Sequence, residues 1–311
     1  MMTSIFVNLK RFDIPTEMGG ICPEKDSALW ARNIIGETVA RGLHSRKDLR
    51  IIYFFPQSLI VPAREALLAA TLTSRDTLAL GSQGVFREDV MPGGAFGAFT
   101  TNFPAKAAAA LGCEWALIGH SEERKDKLDI MVAYDAALIH DDASMKRATH
   151  ALQRLINAEV LRAFEAGLNV LYCVGETAEE RGEGSIDERK PRVEAVLGSQ
   201  LELGLAGIAK TQGDRELAIG YEPRWSIGPG KTAPDSDYIG FVSAYIKQKS
   251  KQILGYSPAV VYGGGLKTEN ARAIAGVSTI DGGLVALTKF TPPIAFSLEG
   301  LENILVEYLA P

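Results

Sequence analysis

The stretch Ala218-Ile-Gly-Tyr-Glu-Pro-Arg-Trp-Ser-Ile-Gly-Pro-Gly-Lys231 carries an apolar run into a proline- and glycine-bearing loop through a single carboxylate. The run 217–219 reads as a buried strand. Glu222 stands at its C-terminal end, where Pro223 stops strand pairing. The loop has stiff ends, Pro223 and Trp225 on one side and Lys231-Thr-Ala on the other. Its middle, at Gly228 and Gly230, permits close approach to an anion or a closing motion. The stretch therefore reads as a lid hinged beside a catalytic base, Glu222.

Outward from this stretch, further short apolar runs occupy 4–7, 49–55, 78–81, 115–118, 169–174, the segment from 259 and 282–285. Helical spacing falls between them, at 28–42, 62–70, 104–111, 151–166, 193–208 and 235–254, with another helix opening at 267–273. Eight strands alternating with helices predict a parallel (β/α)8 barrel, an α/β fold. Lys10, His120, Glu222, Gly264 and Gly265 all fall at strand C-termini, the end where such barrels build their sites. Gly263-Gly-Gly265 presents backbone N–H groups free of side chains, and the following helix start adds a favourable field for a phosphate.

At 311 residues the chain is long for one domain, but such barrels take about 250 residues or more, so 1–311 is read as one barrel with insertions. A hydrophobic content of 46% supplies a sizeable core. A net charge of −5 with both signs interspersed offers no basic patch for nucleic acid. Lys10 and Arg11 interrupt any leader-like apolar stretch, and no uninterrupted apolar run approaches the roughly 18 residues of a membrane span. The expectation is a cytoplasmic protein with no membrane partner. Cys22, Cys113 and Cys173 are odd in number and lack CxxC spacing, which argues against a disulfide framework or a zinc site. The glycine-rich segment 86–102 is longer than a structureless loop usually is unless functional.

Tyr221-Glu-Pro-Arg-Trp-Ser-Ile-Gly-Pro-Gly-Lys231 and Leu117-Ile-Gly-His-Ser-Glu-Glu-Arg124 resemble, in order, the flexible-loop and histidine motifs of the triosephosphate isomerase family. The resemblance covers 5 to about 309. It implies that Glu222 is the base, that His120 is the electrophile on the substrate carbonyl, and that Lys10 neutralises substrate charge with Asn8 helping to hold the site. It also implies that Glu122 braces Lys10, that Ser121 caps the following helix, and that Glu176 tethers the open lid through Trp225. Positive potential at that helix start is expected to keep the imidazole neutral.

The implied activity is interconversion of glyceraldehyde 3-phosphate and dihydroxyacetone phosphate in glycolysis and gluconeogenesis, with no cofactor and no metal. A homodimer through 86–102 follows from the match of Gly97-Ala-Phe-Thr100 to the family's third loop. The chain departs from the family at Leu9, Arg224, Gly265 and an added segment around 125–150, read as two helical pieces broken at 139–144. It also carries Ala286 and Leu287 where the family grips phosphate with two glycines. Those departures keep open an isomerase of another sugar phosphate, such as a tetrulose phosphate, with Gly228, Gly264 and Gly265 bearing more of the grip and Arg224 or Lys289 assisting. A non-catalytic phosphosugar-binding barrel is the third reading, disfavoured because binding needs no carbon-acid base.

Overall fold

The structure, a computed structural model, describes residues 2–70, 77–228 and 230–310. Eight parallel strands close into a barrel in sequence order: β1 (Thr3–Asn8), β2 (Leu49–Phe55), β3 (Leu78–Ser82), β4 (Trp115–Ile118), β5 (Asn169–Val174), β6 (Leu217–Tyr221), β7 (Ala259–Tyr262) and β8 (Gly282–Val285). The seam is sealed by pairing of β1 with β8, Ser4 opposite Gly282 through Val7 opposite Val285. The (β/α)8 expectation is met.

Alternation along each strand sorts side chains into two layers. Phe6, Ile52, Phe54, Trp115, Leu117, Leu171, Cys173, Val261 and Leu284 fill the barrel interior. Their neighbours, including Ile5, Val7, Ile51, Tyr53 and Val170, face the helices and form the larger outer core. The interior is a packed aromatic plug. Phe6 meets Trp115 edge-on at 5.1 Å, and Phe54 needs Gly81 beside it, since a Cβ there would lie 2.5 Å from its ring.

The helices packed outside are α1 (Ser27–Ala40), α2 (Gln57–Ala69), α3 (Ala105–Ala110), α4 (Ser121–Tyr134), α5 (Asp142–Glu165), α6 (Ala178–Arg181), α7 (Ile186–Gly204), α8 (Ser236–Leu254), α9 (Thr268–Ala275) and α10 (Leu298–Tyr308). Three boundaries differ from the sequence reading. The second helix starts at Gln57, because Pro56 rather than Pro62 sets its entry. The seventh starts at Ile186, not 193, because Ser185 and Glu188 form a reciprocal capping box at the head of the charged stretch 187–192. The break in the segment after His120 falls at 135–141, not 139–144. Asp135 accepts the Ala137 N–H to start a short 3-10 turn, and Asp141 accepts from Ala143 and Ser144 to start α5, which then runs unbroken into the helix expected from 151.

Cys22, Cys113 and Cys173 are buried and unbridged. Among the described residues no helix is long and apolar enough to cross a membrane.

Candidate active site

The site lies at the C-terminal mouth of the barrel, where β1, β4 and β6 deliver an ammonium, an imidazole and a carboxylate. β1 ends in Asn8, which is buried, and the chain then turns through Lys10 at φ 41°, a left-handed conformation that costs a non-glycine residue energy. Hydrogen bonds hold it there. The Lys10 N–H donates to Asn8 Oδ1 at 3.0 Å, and Gln83 Nε2 donates to the Lys10 carbonyl at 2.7 Å. Gln83 also reaches Asn8 Oδ1 and the Phe54 carbonyl. Lys10 Nζ lies 2.7 Å from Glu122 Oε1. That pair is exposed enough to add little stability, so its effect is to aim the ammonium.

β4 leads through Gly119 to His120, which is buried and is itself the N-cap of α4. This corrects the expectation for Ser121: the Glu122 N–H donates to His120 Nδ1 at 3.3 Å, and Ser121 is the first helical residue. An acceptor at Nδ1 leaves the imidazole proton on Nε2, which lies 3.1 Å from Glu222 Oε1. The Ser121 N–H donates to Glu222 Oε2 at 3.0 Å, so both carboxylate oxygens are held.

Glu222 and His120 set each other's charge. Burial pushes the Glu222 carboxyl up, but the imidazole, its hydrogen bond, the Ser121 N–H and Lys10 together hold it below the usual carboxylate range. Burial pulls the imidazole down, but the Glu222 carboxylate outweighs it and the net direction is up, against the helix-end field that favours the neutral ring. The pair is a buried carboxylate facing an imidazole nitrogen.

Behind them, Glu176 at the end of β5 is fully buried. Its Oε1 accepts from Tyr221 OH, Trp225 Nε1 and Tyr238 OH at 2.8–3.0 Å, while Oε2 has no partner among the described residues. Burial pushes this carboxyl up, opposed by those three donors. The lid starts here. A 3-10 turn, Arg224–Ser226, sits on Glu176 through Trp225, whose ring is covered by the Arg181 guanidinium at 3.8 Å. The lid then passes through Gly228 at φ 120°; the stretch as read includes Pro229, which lies outside the described residues.

A cavity of about 220 Å³ joins these groups. It is lined by Asn8, Lys10, His120, Ser121 and Glu222, by Gly228, Gly263 and Gly265, by Ala286 and Leu287, and by an apolar wall that includes Phe12, Ile227 and Phe290. Gly264 is not in the lining; it packs under Tyr262 and Pro223, and Gly263 takes its place. Arg224 and Lys289 are also outside it, which leaves Lys10 as the cation among the described lining residues. After β8 the chain forms a small antiparallel bridge, Lys289 with Ala295, and no helix begins before Leu298. No cluster of His, Cys, Asp and Glu among the described residues is placed to hold a metal ion.

Sequence reading missed Gln83 and Phe290. Gln83 carried a signal in its position at the end of β3; Phe290 sits on a loop whose path follows only from packing.

The fold and this constellation define a (β/α)8-barrel isomerase, with a carboxylate facing an imidazole and an ammonium beneath a glycine-hinged loop. The family model described as triosephosphate isomerase matches residues 35–293, and the chain belongs to that family. The chain is 31% identical over 259 residues to the triosephosphate isomerase of Nitratidesulfovibrio vulgaris, covering 82% of this chain and 87% of the relative. It is 30% identical over 282 residues to that of Carboxydothermus hydrogenoformans, covering 89% and 90%. In fold it is similar to the crystal structure of triosephosphate isomerase from Bartonella henselae, with a TM-score of 0.64, 22% identity and 99% of each chain covered. Asn8 and Lys10 precede the family match, and it is the barrel seam that brings them to the site.

Proposed function

We propose that the chain interconverts glyceraldehyde 3-phosphate and dihydroxyacetone phosphate as an intramolecular oxidoreductase. The observation that carries this is the meeting of Glu222, His120 and Lys10 around one small cavity under Gly228. Glu222 takes a proton from the carbon next to the carbonyl, the bonding electrons pass to the carbonyl oxygen, and an enediolate forms. His120 Nε2–H protonates that oxygen and the ring then takes the proton of the neighbouring hydroxyl, so a carbonyl forms there as Glu222 returns its proton to the former carbonyl carbon, with Lys10 Nζ stabilising the oxygen charge throughout. Triosephosphate isomerase is the reference case for this division of labour. Glu222 must first release the Ser121 N–H, a step coupled in this reading to closure of the lid, with Glu176 and Trp225 holding its hinge.

Gly228, Gly265 and Leu287 offer N–H groups that have no partner among the described residues. With Lys10, these are the proposed phosphate contacts, assisted by Asn8 and the main chain at Ala286. The chain acts in this reading as one barrel domain in which 125–150 is an insertion, as a cytoplasmic homodimer without membrane or nucleic-acid partners. The dimer contact is the segment 86–102, whose Phe96 stands 89% exposed.

A second reading, turnover of a different sugar phosphate, is favoured by one observation, the apolar wall of Leu287, Phe290 and Phe12 where the phosphate arm would lie. Coupled assays of the purified protein on triose, tetrose and pentose phosphates test both. Turnover of triose phosphates supports the first, and turnover confined to a longer sugar overturns it.

A further inference from the structure

Gly119, the residue just before His120, is held at its N–H and at its carbonyl by two consecutive residues of α4. Gly119, at φ 77°, turns the chain from β4 into α4, and a Cβ on it would lie 2.9 Å from both Arg124 Nη2 and the Cys173 carbonyl oxygen. Its carbonyl accepts from Arg124 Nε at 2.6 Å. Arg124 is buried and spread over the Cys173 carbonyl, Gln153 Oε1 and Tyr172 OH. The Gly119 N–H donates to Glu123 Oε2 at 2.7 Å. Glu123 is the third residue of the helix, where a capping-box glutamate would reach back to the N-cap N–H; here it reaches one residue further, to the N–H of Gly119, the turn residue that leads into His120.

Glu123 is anchored in turn. Its Oε1 meets Lys127 Nζ at 2.5 Å, and the same ammonium lies 3.0 Å from Oε1 of Glu159, a buried residue of α5. Two carboxylates share one ammonium. Burial and the neighbouring Glu123 push Glu159 up, while the Glu159 hydrogen bond, Lys127 and the Gly119 N–H hold Glu123 below the usual carboxylate range despite its burial. The ammonium against its other oxygen favours the ionised form of Glu123 and so strengthens the bond it accepts from the Gly119 N–H.

We infer that Glu123 is a positioning residue for His120, clasping the Gly119 N–H, with Lys127 and Glu159 fixing the clasp against α5. This rests on the reading of His120 as electrophile. An electrophile must be placed within about 0.5 Å of its productive position, and Gly119 is the turn between β4 and His120, so a shift at its N–H passes through one residue to the imidazole.

Two substitutions separate the clasp from the ion pair. Glu123→Gln keeps an oxygen for the Gly119 N–H but no longer neutralises Lys127. Glu123→Asp keeps the charge for the mobile Lys127 side chain but falls short of Gly119 by one methylene. The expected results are opposite in sign. Glu123→Gln retains kcat within about threefold of the parent while its melting temperature falls; Glu123→Asp loses kcat at least tenfold, with KM within about twofold and the melting temperature close to the parent. Nitrogen NMR of His120 should match the parent in the Gln variant and shift in the Asp variant.

If kcat follows melting temperature across the two variants, or if the His120 resonances stay unmoved in Glu123→Asp, the clasp is not a positioning device and the inference is overturned. The NMR readout needs no turnover, so it separates this inference from the isomerase reading: absence of isomerase activity in the parent defeats the latter alone.

Discussion

The carbonyl oxygen of Glu222 lies 1.8 Å from the place a Cβ on Gly175 would occupy. The base-bearing turn after β6 and the end of β5 are thus pressed together backbone to backbone, closed by the Glu222 N–H on the Val174 carbonyl at 2.8 Å. Gly175→Ala must push Glu222 outward. We expect kcat to fall by two orders of magnitude or more and stability to drop by about 1–3 kcal/mol from overpacking. Steady-state kinetics beside a denaturant titration would show it, and unchanged kcat would mean the turn can yield without moving the carboxylate.

Glu222→Gln keeps the size of the side chain and removes its basicity. Turnover should fall by about 10²–10⁴-fold, while calorimetry still detects triose phosphate binding. Near-parental turnover would remove Glu222 from the role of base.

The same variant makes a titration test of the His120 environment. With the carboxylate present the imidazole's pKa lies above its ordinary value of about 6.5. Its contribution to stability is therefore complete below that value and is lost as pH rises through the raised one. Glu222 has the opposite sign: its contribution is present above the ordinary carboxylate value and is lost as pH falls through the depressed one. Removing the carboxylate leaves burial as the largest influence on the ring, so in Glu222→Gln the His120 pKa should drop, by NMR titration, below that of the parent. A value that stays raised would assign the shift to another group.

Leu287 lines the cavity with a branched residue beside an N–H that has no partner among the described residues. Leu287→Gly should lower KM for triose phosphates by about tenfold, with kcat changed by less than threefold. A KM that stays put would show that the side chain already stands clear of the phosphate arm.

Trp225→Phe removes one of three donors from a buried carboxylate whose other oxygen has no partner among the described residues. A loss of about 1–3 kcal/mol is expected, together with faster proteolysis within the lid. If limited proteolysis is unchanged, the Glu176 contact does not hold the hinge.

The eight strands were legible because each is a short, nearly uninterrupted apolar run, the pattern of a strand buried on both faces. Helix starts were less so. They depend on which of several candidate caps wins, and at α7 Ser185 and Glu188 form a reciprocal pair that the surrounding charges obscure. Lys10, His120 and Glu222 were singled out by their places at strand ends together with the resemblance to the family's motifs, and the structure brings all three to one cavity. Gln83 was not assigned a role, since an amide at a strand end gives no sign that it will brace the backbone of Lys10 across two strands. The role given to Ser121 was misassigned because serine is the commoner cap, whereas here the imidazole takes that position. The apolar wall of Phe12 and Phe290 comes from two loops far apart in sequence, and local pattern is silent on such meetings.

Phe6, Phe54 and Trp115 fill the barrel beneath the site, so the cavity has a floor. In the proposed reaction substrate and product both pass the loops at the mouth, and the frequency with which those loops open sets an upper limit on turnover however fast the proton moves inside.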